Sequence, residues 1–481
     1  MNFKYILNVL GKILLMVSIF MTTILPWIFH FHEHHVLFPV LISIAIPLFL
    51  GVLLINTTKS DASEIHAKEG YLLVTLTWLV IAIIGSLPYY ISQTIPSFVD
   101  AFFESVSGFT TTGSSILTDI EALPKSILYW RSLTNWIGGM GIIVLVIAIL
   151  PQMKMTAYQF FDMEASAVMN EKIRPRTPDI AKRLWMIYFL LTAVLVVLLM
   201  FGGVNFFESL CHAFGTIATG GFSTKNASIA GYSAYVQYVI TLFMLLSGVN
   251  FTLHYFVLNG NLKRVLKNTE LKTYLSIIFL VGFTIAFILF FSTNSTFEKA
   301  FRDAFFQVVS IITATGFSTV DYLQWKEIAW ILLFALMFVG ASVGSTGGGI
   351  KVIRHVLAFQ YIRNHFRKLM HPNAVLPIRI NGGIIMEEKV APILSFIILY
   401  LVVFIFGSIL MAAMGLDMES AFGSVITTMG GIGPGIGSVG PAGNFAHVPD
   451  LGKVLLSFLM IIGRLELYTF LIVFSPAYWK K

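Results

Sequence analysis

The chain reads as an all-α polytopic membrane protein. Two N-terminal helices precede four helix–pore loop–helix repeats, arranged with pseudo-fourfold symmetry around a central pore. Three observations predict this. Of 481 residues, 57% are hydrophobic and only 11% charged, against about a quarter charged in soluble domains. Apolar windows of roughly twenty residues, the length an α-helix needs to cross a bilayer, recur along the whole chain. Four short Thr/Gly-rich stretches punctuate them: GFTTTGSS at 108–115, IATGGFST at 217–224, ITATGFST at 312–319 and ITTMGGIGPG at 426–435.

The apolar windows place ten spanning helices at about 5–29, 36–55, 71–91, 127–150, 183–203, 234–258, 271–292, 327–357, 391–414 and 452–475. The first is long for a signal-peptide core and lacks a small-residue cleavage site, so it reads as a retained helix. Ten spans put both termini on one side, together with the loops at 56–70, 151–182, 259–270 and 358–390. With the helix-end residues Lys182, Arg183, Lys272, Lys351 and Arg354 assigned to it, that side carries 23 of the 31 Lys and Arg residues, which makes it the cytoplasmic side and explains the formal charge of +7 without nucleic acid. The Thr/Gly stretches therefore dip in from outside. A single cysteine, Cys211, excludes an intrachain disulfide framework and reads as a small apolar residue.

Each Thr/Gly stretch follows a segment too short to span: Asp100–Thr111, Phe206–Ala218, Lys299–Thr313 and Asp417–Met429. Backbone that dips in and returns is tolerated only where protein shields it or where it lines a wet cavity. Superposing Gly113, Gly221, Gly316 and Gly433 gives intervals of 108, 95 and 117 residues. Twelve residues before three of these glycines stands Ala-Phe (Ala101, Ala304, Ala421), with Ser209-Leu210 in the second copy. The organisation that follows is 1–70 for the N-terminal helices and first cytoplasmic loop, then repeats at 71–150, 183–258, 271–357 and 391–475.

A cation leaving water needs a ring of oxygens to replace its hydration shell, and four loops supply one carbonyl each per layer. Glycine at the narrowest layer turns carbonyls inward and leaves no side chain in the lumen. Threonine just before it adds oxygens to neighbouring layers. The candidate filter residues are Thr111, Thr112 and Gly113; Thr219, Gly220 and Gly221; Thr315 and Gly316; and Gly431, Ile432 and Gly433. Gly220 competes with Gly221 for register, and Gly430 and Gly431 compete with Gly433; the Ala-Phe offset favours Gly221 and Gly433. One aligned glycine per loop predicts fewer ion sites and weaker K⁺/Na⁺ discrimination than a filter with two.

Five glycines between Gly340 and Gly349, with Ser342, Ser345 and Thr346, disfavour a continuous eighth helix. Small-residue helix packing is one reading; an intramembrane loop obstructing the pore is the other. Arg464 stands mid-helix, where a charge needs water or a partner. It either pairs between helices or lines the cavity under the filter; Glu466, two residues on, faces elsewhere. His30, His32, His34 and His35 with Glu33 read as a solvated polar turn rather than a metal site. Asp100, Glu104, Glu208, Asp303, Asp417 and Glu419 stand near the pore-helix starts, where they either attract cations or favour a helix N-terminus.

The four stretches, the run GASVGSTGGGIK at 340–351 and GRLELYT at 463–469 resemble the TrkH branch of the TrkH/KtrB/HKT superfamily, in this order and across essentially the whole chain. The resemblance implies potassium as the transported ion. In related plant transporters a serine in the first repeat goes with sodium, so Gly113 favours potassium. It also implies a gate at Gly344, Ser345, Thr346, Gly347, Gly348 and Gly349 acting with Arg464. It further implies a homodimer, a cytosolic TrkA-type ring of NAD-type domains as regulatory partner, and the cytoplasmic membrane of a bacterium or archaeon. No GxxxxGK[ST] loop occurs, so ATP would act through that partner. K⁺/H⁺ or K⁺/Na⁺ symport stands as an alternative to a gated channel. An organic-solute transporter would show paired inverted repeats, and an intramembrane enzyme would need converging catalytic residues that the spans lack.

Overall fold

The computed structural model describes residues 1–58, 67–149, 177–293 and 295–480. Residues 151–176 of the expected basic connection at 151–182, and most of the loop at 56–70, lie outside the described residues; 177–182 begin the helix Thr177–Phe201. Among the described residues, six helices are long and apolar enough to cross a membrane, and two sharply bent pairs raise this to eight. Lys125–Ile149 and the interrupted stretch beginning at Glu327–Leu336 occupy the other two expected positions. A short antiparallel hairpin, Ile378–Ile380 with Gly383–Ile385, is the one departure from an all-helical fold among the described residues.

The N-terminal helices, Phe3–Thr22 and Leu37–Thr57, pack as a hairpin. Gly11 and Gly51 face each other so closely that a Cβ on either would sit about 3 Å from the other's carbonyl oxygen, the small-residue contact typical of helix pairs in lipid. Ser18 donates to the Ile44 carbonyl at 3.1 Å across the same seam. Glu33, in the histidine-rich turn, ties this hairpin to the rest: its carboxylate accepts from the backbone amides of Lys125 (2.6 Å) and Ser126 (3.0 Å) and from the Ser126 hydroxyl (2.6 Å). It therefore caps the Lys125–Ile149 helix from outside, satisfying donors that have no partner within the helix. No metal-ligand cluster forms among the described residues.

Three of the ten expected spans are broken in the structure. The span at 234–258 bends by 101° between Ala234–Ser247 and Phe251–Leu258, and that at 452–475 by 117° between Asp450–Leu465 and Leu467–Phe474. The expected 327–357 span ends at Leu336, runs irregularly to Lys351 and resumes as Val352–Met370. The first two breaks were not legible as apolar windows, because hydropathy does not register backbone geometry. Gly248-Val249-Asn250 carries one break, with Asn250 capping the new helix at the Thr252 amide (2.8 Å). Glu466, at φ 60° and ψ 138°, carries the other. That conformation is costly for any residue with a side chain, and the Glu466 carboxylate is held by Arg354 at 2.7 Å.

Candidate ion filter and barrier

Four short helices precede the Thr/Gly stretches: Phe98–Phe109, Phe206–Ile217, Phe297–Ile312 and Met418–Gly430. Each is started by a side-chain cap, Ser97, Asn205, Thr296 and Asp417 respectively, which accepts from the backbone amide three residues on. The cap stands 16 residues before the aligned glycine in three repeats and 20 in the third, where the helix has 16 residues against 12, 12 and 13. Four extra residues are about one helical turn, so the third helix starts further out and still ends level with the others. The positions twelve residues before the glycines, Ala101, Ser209, Ala304 and Ala421, are all fully buried. Small side chains there let the short helices approach their neighbours.

Backbone conformation fixes the register in all four loops. Thr111, Thr219, Ala314 and Gly431 are left-handed (φ 54°, 53°, 58° and 67°), and two residues later so are Gly113, Gly221, Gly316 and Gly433 (φ 81°, 68°, 79° and 95°). Between them Thr112, Gly220, Thr315 and Ile432 donate their amides to Ser107, Gly215, Ser310 and Thr427 at 2.8–2.9 Å. Gly221 and Gly433 are thus the aligned glycines, while Gly220 and Gly431 sit one and two positions earlier. Ala314 completes the set and was missed in the sequence; counting two back from Gly316 finds it. Three non-glycine residues held at positive φ represent strain of order 1–3 kcal/mol each, consistent with a functional constraint.

The loops form a closed ring. A Cβ at Gly113 would meet the Gly220 carbonyl oxygen at 2.6 Å, and one at Gly433 the Thr112 carbonyl oxygen at 2.9 Å. Cβ atoms at Gly221 and Gly316 would overlap the carbonyl oxygens of Thr315 and Ile432 outright. Each glycine therefore abuts the carbonyl of the next repeat, in the cyclic order one, two, three, four, one. Gly220 has its own reason to be glycine, because the Asn135 amide fills the space a Cβ would take. The Thr112 and Thr315 hydroxyls pair with those of Thr110 and Thr313 at 2.8 Å, so they brace the strands from within.

The acidic residues near the helix starts divide. Asp417 is a cap, and hydrogen bonds from the Ser420 side chain and backbone hold its carboxyl below the usual range. Asp100 pairs at 2.5 Å with Lys453 of the last repeat, closing the ring. Glu208 accepts from Tyr232 at 2.8 Å and pairs with Lys225 at 3.4 Å. Glu104 is buried against Arg131 at 2.6 Å and is not available to attract ions at the surface. Asp303 is buried within the third short helix, and Glu419 is exposed.

Beneath the ring, the irregular segment 337–351 packs against the ends of the short helices. The Thr346 hydroxyl donates to the Ile217 carbonyl at 3.0 Å, at the end of the second helix. Gly347 lies against the Thr313 carbonyl, where a Cβ would sit at 2.8 Å, and Gly348 presses on the Gly430 carbonyl. Gly344 and Gly349 are left-handed (φ 69° and 71°), which only glycine adopts at little cost. The segment is pinned from behind: Gly344 accepts from Phe251 (3.0 Å), Ser342 donates to Gly248 (3.0 Å) and the Val343 amide donates to Glu270 (2.9 Å). Arg464 is buried and donates to the Thr346 carbonyl at 2.8 Å and the Gly138 carbonyl at 3.1 Å. Arg464 thus joins the segment to the first repeat, and its partners are carbonyls rather than a carboxylate.

Helix C-termini carry partial negative charge, so four converging short helices favour a cation below the ring. The segment supplies competing donors and bulk there. Substituting Gly221 or Gly316 with Ala places a methyl on a neighbouring strand's carbonyl at a positive φ, and either variant is expected to lose ion flux almost completely. Tracer uptake by the purified variant in liposomes checks this.

Short helices aimed at a ring of backbone carbonyls define a class, the pore-loop cation pathways with four repeats in one chain. The model of the TrkH family, described as a cation transport protein, matches residues 38–481. The chain belongs to that family. The Trk system potassium uptake protein TrkH of Escherichia coli K12 is 38% identical over 441 residues, 91% of either chain. That of Vibrio parahaemolyticus is 36% identical over the full length of both, and TrkG of Escherichia coli K12 is 32% identical over 94% of this chain and 93% of its own. The crystal structure of the potassium transporter TrkH from Vibrio parahaemolyticus superposes with a TM-score of 0.91 at 34% identity, covering both chains completely.

Proposed function

We propose that this protein is the membrane subunit of a potassium uptake system of the Trk type. K⁺ crosses the cytoplasmic membrane through the ring formed by Thr111–Gly113, Thr219–Gly221, Ala314–Gly316 and Gly431–Gly433. The observation that carries this reading is the cyclic contact of each aligned glycine with the next repeat's carbonyl, which brings the four strands and their carbonyls together in one ring. That the relatives from Escherichia coli and Vibrio parahaemolyticus are potassium uptake proteins supports the choice of ion.

The segment Gly344–Gly349 and Arg464 act as the barrier beneath the filter. A cation entering from the filter must displace the Thr346 hydroxyl and pass the guanidinium. The Lys/Arg distribution supports cytoplasmic termini. The family resemblance supports a homodimer and a cytosolic nucleotide-binding ring that moves the barrier, with the connections at 151–182 and 358–390 as docking surfaces.

The test is Rb⁺, K⁺ and Na⁺ flux through the purified protein in liposomes, with and without a proton gradient. Saturable Rb⁺ flux exceeding Na⁺ flux is the expected result. Absence of any monovalent-cation flux from folded protein, with its cytosolic partner present, overturns the reading. A strict requirement for the proton gradient converts the channel into a symporter.

A further inference from the structure

Two residues beyond each aligned glycine, the strands leave the ring, and there the backbone carbonyl receives a hydrogen bond from the preceding repeat. Arg131 Nη1 of the first repeat donates to Ser223 O at 2.8 Å. The Ile229 amide of the second donates to Ser318 O at 3.0 Å. The Tyr322 hydroxyl of the third donates to Gly435 O at 2.6 Å. The Phe445 amide of the fourth donates to Ser115 O at 2.8 Å, returning to the first strand. The result is a collar of four bonds, one at each boundary between repeats.

The collar is not uniform. At the first boundary alone the donor is a charged side chain, itself locked to a buried carboxylate. Glu104 pairs with Arg131 Nε at 2.6 Å and also accepts from the Ser115 hydroxyl (2.9 Å) and the Ile116 amide (3.0 Å). Arg131 further stacks on Phe222, the residue after Gly221, at 3.6 Å from the ring centre. One buried ion pair thus holds the first and second strands together just past their glycines. The residues equivalent to Glu104, nine before the other glycines, are His212, Gln307 and Ser424. His212 repeats the same local bond, to the Ser223 hydroxyl at 3.1 Å, without the cation.

We propose that this collar sets how strongly the ring discriminates K⁺ from Na⁺, and that Glu104 and Arg131 are its principal positioning residues. The inference rests on the potassium-filter reading. A smaller ion is excluded only while the carbonyls resist closing on it or while their number about the larger ion is held fixed. The four collar bonds cross every boundary between neighbouring strands and so resist their moving together. Charge-assisted bonds are the stronger ones, so the first boundary contributes most.

The test compares Rb⁺ and Na⁺ flux in liposomes for the full-length protein and two variants. Arg131→Lys keeps a cation for Glu104 but lacks a second, rigidly placed donor for Ser223. Tyr322→Phe removes one hydroxyl and nothing else at the third boundary. Arg131→Lys is expected to lower the Rb⁺/Na⁺ ratio about fivefold, the size of losing one charge-assisted bond in part. Tyr322→Phe is expected to lower it less and in the same direction. A merely structural role would reduce the yield of folded protein and leave the ratio of the survivors intact. An unchanged ratio in folded Arg131→Lys overturns the proposal. If that variant does not fold, an unchanged ratio in Tyr322→Phe overturns it instead. Wild-type protein without Rb⁺ preference would count against the filter reading itself.

Discussion

Removing Ser345–Gly347 is expected to raise Rb⁺ flux through the isolated membrane subunit by at least about tenfold. The deletion takes away the Thr346 hydroxyl bound to the Ile217 carbonyl and the Thr346 carbonyl that fixes Arg464. A monovalent cation within about 5 Å of a guanidinium, at an effective dielectric of about 20, meets a repulsion of about 3 kcal/mol. Freeing Arg464 from the Thr346 carbonyl lets its charge move away and lowers that repulsion, and a tenfold change needs only about 1.4 kcal/mol. Arg464→Gln, which keeps a donor but no charge, is expected to raise flux in the same direction by less. Flux is measured in liposomes at matched protein content, with thermal unfolding of each variant as the control. Unaltered flux in a folded deletion variant would count against a barrier at this segment.

The second large effect concerns the ring itself. Gly113→Ser is expected to keep conduction while lowering the K⁺/Na⁺ ratio about tenfold, a change of about 1.4 kcal/mol in relative ion stabilisation. The four glycines differ in room. A Cβ at Gly113 stands 2.6 Å from its neighbouring carbonyl and one at Gly433 2.9 Å, whereas those at Gly221 and Gly316 overlap theirs. A side chain at Gly113, at φ 81°, must move the Gly220 carbonyl, but by less than one at Gly221 or Gly316 would move theirs, and that shift enlarges or tilts one side of the ring. A serine at Gly221 or Gly316 would push a strand across the axis instead. Reversal potentials in mixed K⁺ and Na⁺ measure the ratio directly, and identical ratios in wild type and Gly113→Ser would sink the assignment.

Much of this architecture is legible in the sequence because the membrane imposes it. Length and apolarity give the spans, and the Ala-Phe offset picks out the same four glycines that stand two residues after the other left-handed positions. The glycine run at 340–349 marks the irregular segment because five glycines cannot sustain a helix. What the sequence hides is geometry that leaves no compositional trace. The bend at Glu466 falls in an apolar run with no glycine or proline at the break, and its stabilising partner Arg354 lies 112 residues away. Ala314 falls in the third Thr/Gly stretch, but nothing in its residue type marks the φ of 58° that it adopts. Glu104 reads only as one of several acids near the short-helix starts and nothing in the sequence pairs it with Arg131; the packing of the short helices buries them together.

The most direct test of the account is the position of a bound ion. Crystals or single particles of the protein in Rb⁺ or Tl⁺ should show the ion on the pore axis. It should lie within coordination distance of the carbonyl oxygens of Thr112, Gly220, Thr315 and Ile432. An axis empty at that layer, with the ion bound elsewhere in a protein shown to transport it, would contradict the filter assigned to these four strands.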